Sequence, residues 1–112
     1  MKFDRDYLLD MQDYINKIAN FTRDGRDAFY ADEKTQLAVM RAYEVIDEIA
    51  KRLTDELLNQ HPDVEWRKIK SFRDYLAHHY DEVMIETVWL AVEKLPILRR
   101  AVESLLAQFP EE

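Results

Sequence analysis

Four residues in the whole chain, Gly25 and the prolines at positions 62, 96 and 110, are strong helix breakers, and this scarcity constrains the fold more than any other feature. Alternating runs of Val, Ile and Thr are also lacking, so no stretch makes a case for a strand. The expected class is all-α, an antiparallel bundle of four to five helices. At 112 residues and 47% hydrophobic content, residues 1–112 make one domain with a single core.

Apolar spacing divides the chain between those breakers. Leu8, Met11, Ile15 and Ile18 recur at steps of three and four, predicting a first helix over about 4–23, which Asp24-Gly25 ends with Gly25 as its left-handed closing residue. The stretch 26–30 reads as a short irregular link whose aromatics, Phe29 and Tyr30, pack back on the core. Asp32 offers an N-cap to a long second helix that His61-Pro62 stops. Its apolar face carries Val39, Ala42, Tyr43, Ile46, Ile49, Ala50, Leu53 and Leu57 and is broad enough for contact on two sides. One reading is a central helix of the bundle and the other a dimer face. Its acidic residues, Glu44, Asp47, Glu48, Asp55 and Glu56, are expected mostly on the solvated side.

Asp63 can cap a third helix, in which Trp66, Ile69, Phe72 and Leu76 form the buried face and Arg67, Lys68, Lys70 and Arg73 a basic run. His78-His79-Tyr80 follows, where the apolar period breaks. Asp81 caps a fourth helix bearing Ile85, Val88, Trp89, Val92 and Leu95, and Pro96 kinks or restarts it into a last segment with Leu98, Val102 and Leu105. Trp66 and Trp89 are read as core residues, and His61 as a helix-end cap.

The third helix holds the densest set of chemically able side chains. An arginine can grip phosphate oxygens through two N–H groups, and an imidazole can move a proton near neutral pH. Those two functions suffice for metal-free cleavage of RNA, whose 2′-hydroxyl is itself the nucleophile. Arg73 and His78 are five residues apart, however, so on one continuous helix they point roughly 140° from each other. Either the helix turns near Ala77, or the working site combines two copies of the chain. A third reading makes both residues a plain C-terminal helix cap.

Arg73, Asp74 and the run Leu76-Ala77-His78-His79-Tyr80 resemble the signature Arg, four residues, His, one residue, Tyr of the HepT branch of the HEPN superfamily. Pro62, Trp66 and Ile69 before the motif, and Trp89, Leu95-Pro96 and Leu98 after it, extend the resemblance over about residues 62–100. The N-terminal half agrees only in length and helical pattern. The resemblance implies a two-fold homodimer acting as a metal-independent ribonuclease toxin, with Arg73 and His78 catalytic, Asp74 and His79 supporting, and no cofactor of its own. It also implies a partner, a minimal nucleotidyltransferase antitoxin that spends ATP to attach AMP to Tyr80.

Other chemistries fare worse. The cysteine count is zero, which removes thiolate metal sites, cysteine nucleophiles and disulfides and fits a reducing cytoplasm. His78, His79, Asp81 and Glu82 are too close in sequence to converge on one ion, and no Gly-rich phosphate loop is present. No apolar run approaches a membrane span, and the charged start, Met1-Lys2-Phe3-Asp4-Arg5, is unlike a targeting segment. The net charge of -7 opposes general affinity for RNA, so binding must depend on the local patch of Arg67, Lys68 and Lys70. Two non-enzymatic alternatives stand beside the ribonuclease: a non-catalytic nucleotide-binding or adaptor subunit of a nucleotidyltransferase pair, and a purely structural helical dimer.

Overall fold

The computed structural model describes residues 3–79 and 85–110, all helix and connecting turn. Helix α1 (Asp4–Phe21) buries Leu8, Met11, Ile15 and Ile18, the stripe that the spacing predicts. It begins with the Phe3 main-chain N–H donating to the Asp6 carboxylate at 3.1 Å. It stops at Thr22, whose hydroxyl donates back to the Ile18 carbonyl at 2.8 Å. Gly25 has φ +92°, the left-handed geometry expected of it, but in a different role. It stands four residues beyond Phe21, the last residue of α1, and immediately before α2 (Arg26–Ala31), where its carbonyl accepts the Phe29 N–H at 3.1 Å. The stretch read as irregular is therefore a short helix. It buries Phe29 alone, while Tyr30 stays exposed beneath the Arg26 guanidinium, 5.2 Å from its ring.

Asp32 caps α3 (Glu33–Ala50) as expected: its carboxylate accepts the Lys34 N–H at 3.1 Å and the Thr35 hydroxyl at 2.6 Å. The stripe of α3 from Val39 to Ala50 is buried within the chain, because α1 and α2 pack on it together with the later helices α5 (Trp66–Lys70), α6 (Phe72–His78) and α7 (Ile85–Glu93), whereas Leu37 beside that stripe stays exposed. Its length departs from the expectation. α3 ends at Ala50, far short of His61-Pro62. Thr54 takes an extended backbone and accepts the Leu57 N–H at 3.3 Å, capping a separate turn, α4 (Asp55–Leu58). A threonine that can bond its own backbone competes with helix continuation. Leu53, Leu57 and Leu58 remain buried across the break, so the apolar period continues although the helix does not.

The third predicted helix is divided as well. Glu65, not Asp63, holds the N-cap position of α5, with no side-chain capping bond. His61 serves the start of this arm through its carbonyl, which accepts the Trp66 indole N–H at 3.1 Å and the Val64 N–H at 3.2 Å. Ser71 then separates α5 from α6: its hydroxyl donates to the carbonyls of Arg67 and Lys68 at 2.9 and 3.2 Å, and its ψ of 8° lies off the helical value. The Asp81 cap foreseen for the next helix lies outside the described residues. Helix α7 ends at Glu93, and after Lys94, its N-cap, α8 (Leu95–Leu106) starts with Pro96 in its first turn, a restart rather than a kink. Leu98, Ala101, Val102 and Leu105 of α8 close the core against α1. Trp66 is buried, and Trp89 packs against the Phe29 ring at 5.3 Å, as core residues should.

Candidate active site

Ser71 decides how the motif is presented. By ending α5 it lets α6 start afresh, and α6 then runs unbroken from Phe72 through Ala77 to His78. The turn at Ala77 that would bring His78 round to Arg73 is absent. On one short rigid helix the two side chains diverge, and among the described residues no hydrogen bond joins them.

Arg73 faces α3. Its Nη1 donates to the Glu48 carboxylate, its Nε lies 3.9 Å from Glu44 Oε2, and its main-chain N–H donates to Asp47 Oδ2 at 2.9 Å. The bond it donates to Glu48, reinforced by the charge of that carboxylate, raises the pKa of the guanidinium, and the same bond lowers that of Glu48. The side chain remains half-exposed, within reach of solvent and of a docked anion.

His78 is exposed at the far end of α6. Its Nδ1 sits 2.8 Å from the Asp74 carbonyl oxygen, which can only accept, so Nδ1 carries the proton and a neutral ring keeps its free lone pair on Nε2. Asp74 thus holds His78 through its main chain rather than its carboxylate. His79 makes the equivalent bond to the Tyr75 carbonyl at 2.9 Å and stacks on the Tyr75 ring with centroids 4.4 Å apart. Tyr80 lies outside the described residues.

The basic run is more fully engaged than its sequence suggests. Lys70 pairs with Asp55 at 3.1 Å, Lys68 with Glu65 at 2.9 Å, and Lys94 of the α7–α8 junction also donates to Glu65. Arg67 is exposed on α5. Beside α6 a cavity of about 410 Å³ opens, walled by Ile69, Phe72 and Tyr75 on one side and Leu90, Ala91 and Leu98 on the other; neither Arg73 nor His78 lines it. Among the described residues, no group of three or more His, Asp or Glu is placed to hold a metal ion.

The residue that sequence reasoning misplaced is Asp47. Assigned to a solvated face with its acidic neighbours, it is fully buried, with Lys51 Nζ 3.0 Å from its second oxygen. The signal was available, since positions 43, 47 and 50 share a helical stripe with Tyr43 and Ala50, both buried.

Comparison with known proteins matches residues 11–105 to the family model "Ribonuclease HepT-like", a span that includes every described residue of the motif. This chain belongs to the ribonuclease HepT-like family. A protein of Methanocaldococcus jannaschii named "Putative RNase" is 34% identical over 110 residues, covering 96% of this chain and 91% of its own. A "Probable ribonuclease HepT" of Thermococcus cleftensis is 38% identical over 103 residues, covering 90% and 94%. No solved structure matches. Family membership agrees with the resemblance carried by Arg73, His78 and Tyr80, and the similarity extends well into the N-terminal half, where the sequence alone offered only pattern. No helix among the described residues is long and apolar enough to cross a membrane.

Proposed function

We propose that this ribonuclease is the toxin of a toxin–antitoxin pair, a metal-independent endoribonuclease that works as a two-fold homodimer with Arg73 and His78 as its catalytic residues. The observation that carries the reading is the presentation of both on α6, a half-exposed guanidinium at one end and, at the other, an exposed imidazole held through Nδ1. In cleavage, His78 Nε2 takes the proton of the 2′-hydroxyl, and the freed oxygen attacks the adjacent phosphorus. Arg73 leaves Glu48 to bind the phosphorane oxygens as their negative charge grows. The bond to the 5′-oxygen breaks, that oxygen takes up a proton, returned by the His78 imidazolium directly or through water, and the products are a 2′,3′-cyclic phosphate and a 5′-hydroxyl end.

Because the two side chains diverge on one helix, a site drawing Arg73 from one protomer and His78 from the other accounts for both. Arg67, Lys68 and Lys70, on the arm preceding α6, would steer the RNA backbone to that cleft. The regulatory partner is a minimal nucleotidyltransferase antitoxin that attaches AMP to Tyr80. The added phosphate would place negative charge two residues from His78, where it repels RNA and competes for Arg73.

The test is incubation of the purified protein with RNA in EDTA beside Arg73→Ala and His78→Ala. Cleavage to cyclic-phosphate ends by the wild type alone is expected. Activity that disappears in EDTA and returns with a divalent ion refutes the mechanism. Absence of cleavage favours the adaptor subunit, for which the pairing of Arg73 with Glu48 is the supporting observation.

A further inference from the structure

We propose that Asp47 is the positioning residue for Arg73: from the core of α3 its carboxylate pins the first turn of α6 through the Arg73 main-chain N–H. The proposal rests on the ribonuclease reading of Arg73. The first N–H groups of any helix have no partner within it. A serine immediately before a helix ordinarily supplies one, but the Ser71 hydroxyl is turned back onto the carbonyls of Arg67 and Lys68. The missing acceptor comes instead from 26 residues away, where Asp47 Oδ2 accepts the Arg73 N–H at 2.9 Å.

Asp47 is suited to this because it cannot wander. Among the described residues it is the fully buried charged one, on a helix enclosed by several others, and Lys51 Nζ lies at ion-pair distance, 3.0 Å, from its second oxygen without hydrogen-bonding to it. A carboxylate at the start of a helix also complements the partial positive charge there. The side-chain anchor is different in kind. Glu48 holds the guanidinium at the exposed surface and must release it to a phosphate, whereas the main-chain anchor need not change when RNA arrives. Arg73 therefore has a fixed origin and a movable tip. Losing the origin lets the α6 start shift, and misplacement by about 1 Å costs on the order of a hundredfold in rate.

Asp47→Asn keeps an acceptor oxygen in the same place, and Asp47→Ala removes it, so the pair distinguishes a positioning bond from a general effect of mutating the core. Exchange of the Arg73 amide with deuterium, followed by NMR, reads the pin directly. The Tyr75 amide, bonded to the Ser71 carbonyl at 2.9 Å, reports whether α6 is still folded. In Asp47→Ala the Arg73 amide should exchange at least about tenfold faster while Tyr75 and the core amides keep their protection. The single-turnover cleavage rate at saturating RNA should fall by about tenfold or more with KM within about threefold, and Asp47→Asn should restore both readouts to within about threefold. Unchanged Arg73 protection in Asp47→Ala, an unchanged rate, or an Asn variant as impaired as the Ala variant overturns the proposal. If the wild type does not cleave RNA, or Arg73→Ala cleaves as well as wild type, the ribonuclease reading fails, and the proposed role in positioning a catalytic arginine falls with it; the amide arm then still decides whether the pin exists.

Discussion

Replacing Trp66 by Phe tests how the arm that carries the motif is attached to the core. Trp66 is buried at the start of α5, and its indole N–H donates to the His61 carbonyl at 3.1 Å. Phenylalanine cannot make that bond, which is worth about 1 kcal/mol net. The carbonyl is not orphaned by the change, since it also accepts the Val64 N–H, so no further penalty for an unmet buried acceptor applies. The smaller ring loses apolar contact worth about another 1 kcal/mol at ~25 cal/mol per Å². The sum is about 2 kcal/mol, or a fall in Tm of about 8 °C for a chain of this size. Urea denaturation followed by circular dichroism, with both proteins at one concentration, should show a lower midpoint and an unchanged slope. A loss below about 0.5 kcal/mol would refute the reasoning, because it would mean that neither the bond nor the ring holds the arm.

Three further outcomes are expected. Glu48→Gln removes the charge that competes with phosphate for Arg73 and should tighten binding of a non-cleavable 2′-O-methyl RNA by roughly two- to fivefold at low salt, less at high salt, as read by fluorescence anisotropy. Thr54→Ala should cost about 1 kcal/mol in urea denaturation by uncapping α4. Glu65, whose bonds from Lys94 and then Lys68 pull its pKa down to about 2, joins the start of α5 to the α7–α8 junction. A depressed folded-state pKa means that its contribution is complete above the ordinary value of 4.5 and is lost as pH falls toward 2. Melting curves of the wild type should therefore decline more steeply than those of Glu65→Gln between pH 5 and 2, and parallel declines would contradict the pairing.

The parts of the fold legible in the sequence are those where apolar spacing and capping chemistry agree. Leu8 to Ile18 and the Asp32 cap are of this kind, as is the Pro96 restart. Reading failed where hydroxyl side chains intervene. Thr54 and Ser71 each redirect backbone bonds within an apolar period that continues across the break, so spacing alone cannot see the interruption. Arg26 to Tyr30 was misread because a six-residue helix with one buried residue has almost no period to detect. At the site, residue chemistry pointed to Arg73 and His78, yet their environment was hidden. Glu44, Asp47 and Glu48 meet Arg73 only because α3 and α6 pack together, a tertiary fact with no local sequence mark. Asp47 is the exception, since a carboxylate on an apolar stripe announces that something must meet it.

Complementation between two inactive variants tests the composite site most directly. Arg73→Ala and His78→Ala chains, unfolded together in equal amounts and refolded, should give half mixed dimers, each with one intact Arg73–His78 pair drawn from different chains. RNA cleavage should then return to about a quarter of the wild-type rate, while either variant refolded alone stays inactive. A refolded mixture in which size and mass show mixed dimers but which cleaves no RNA would contradict a site shared between two protomers.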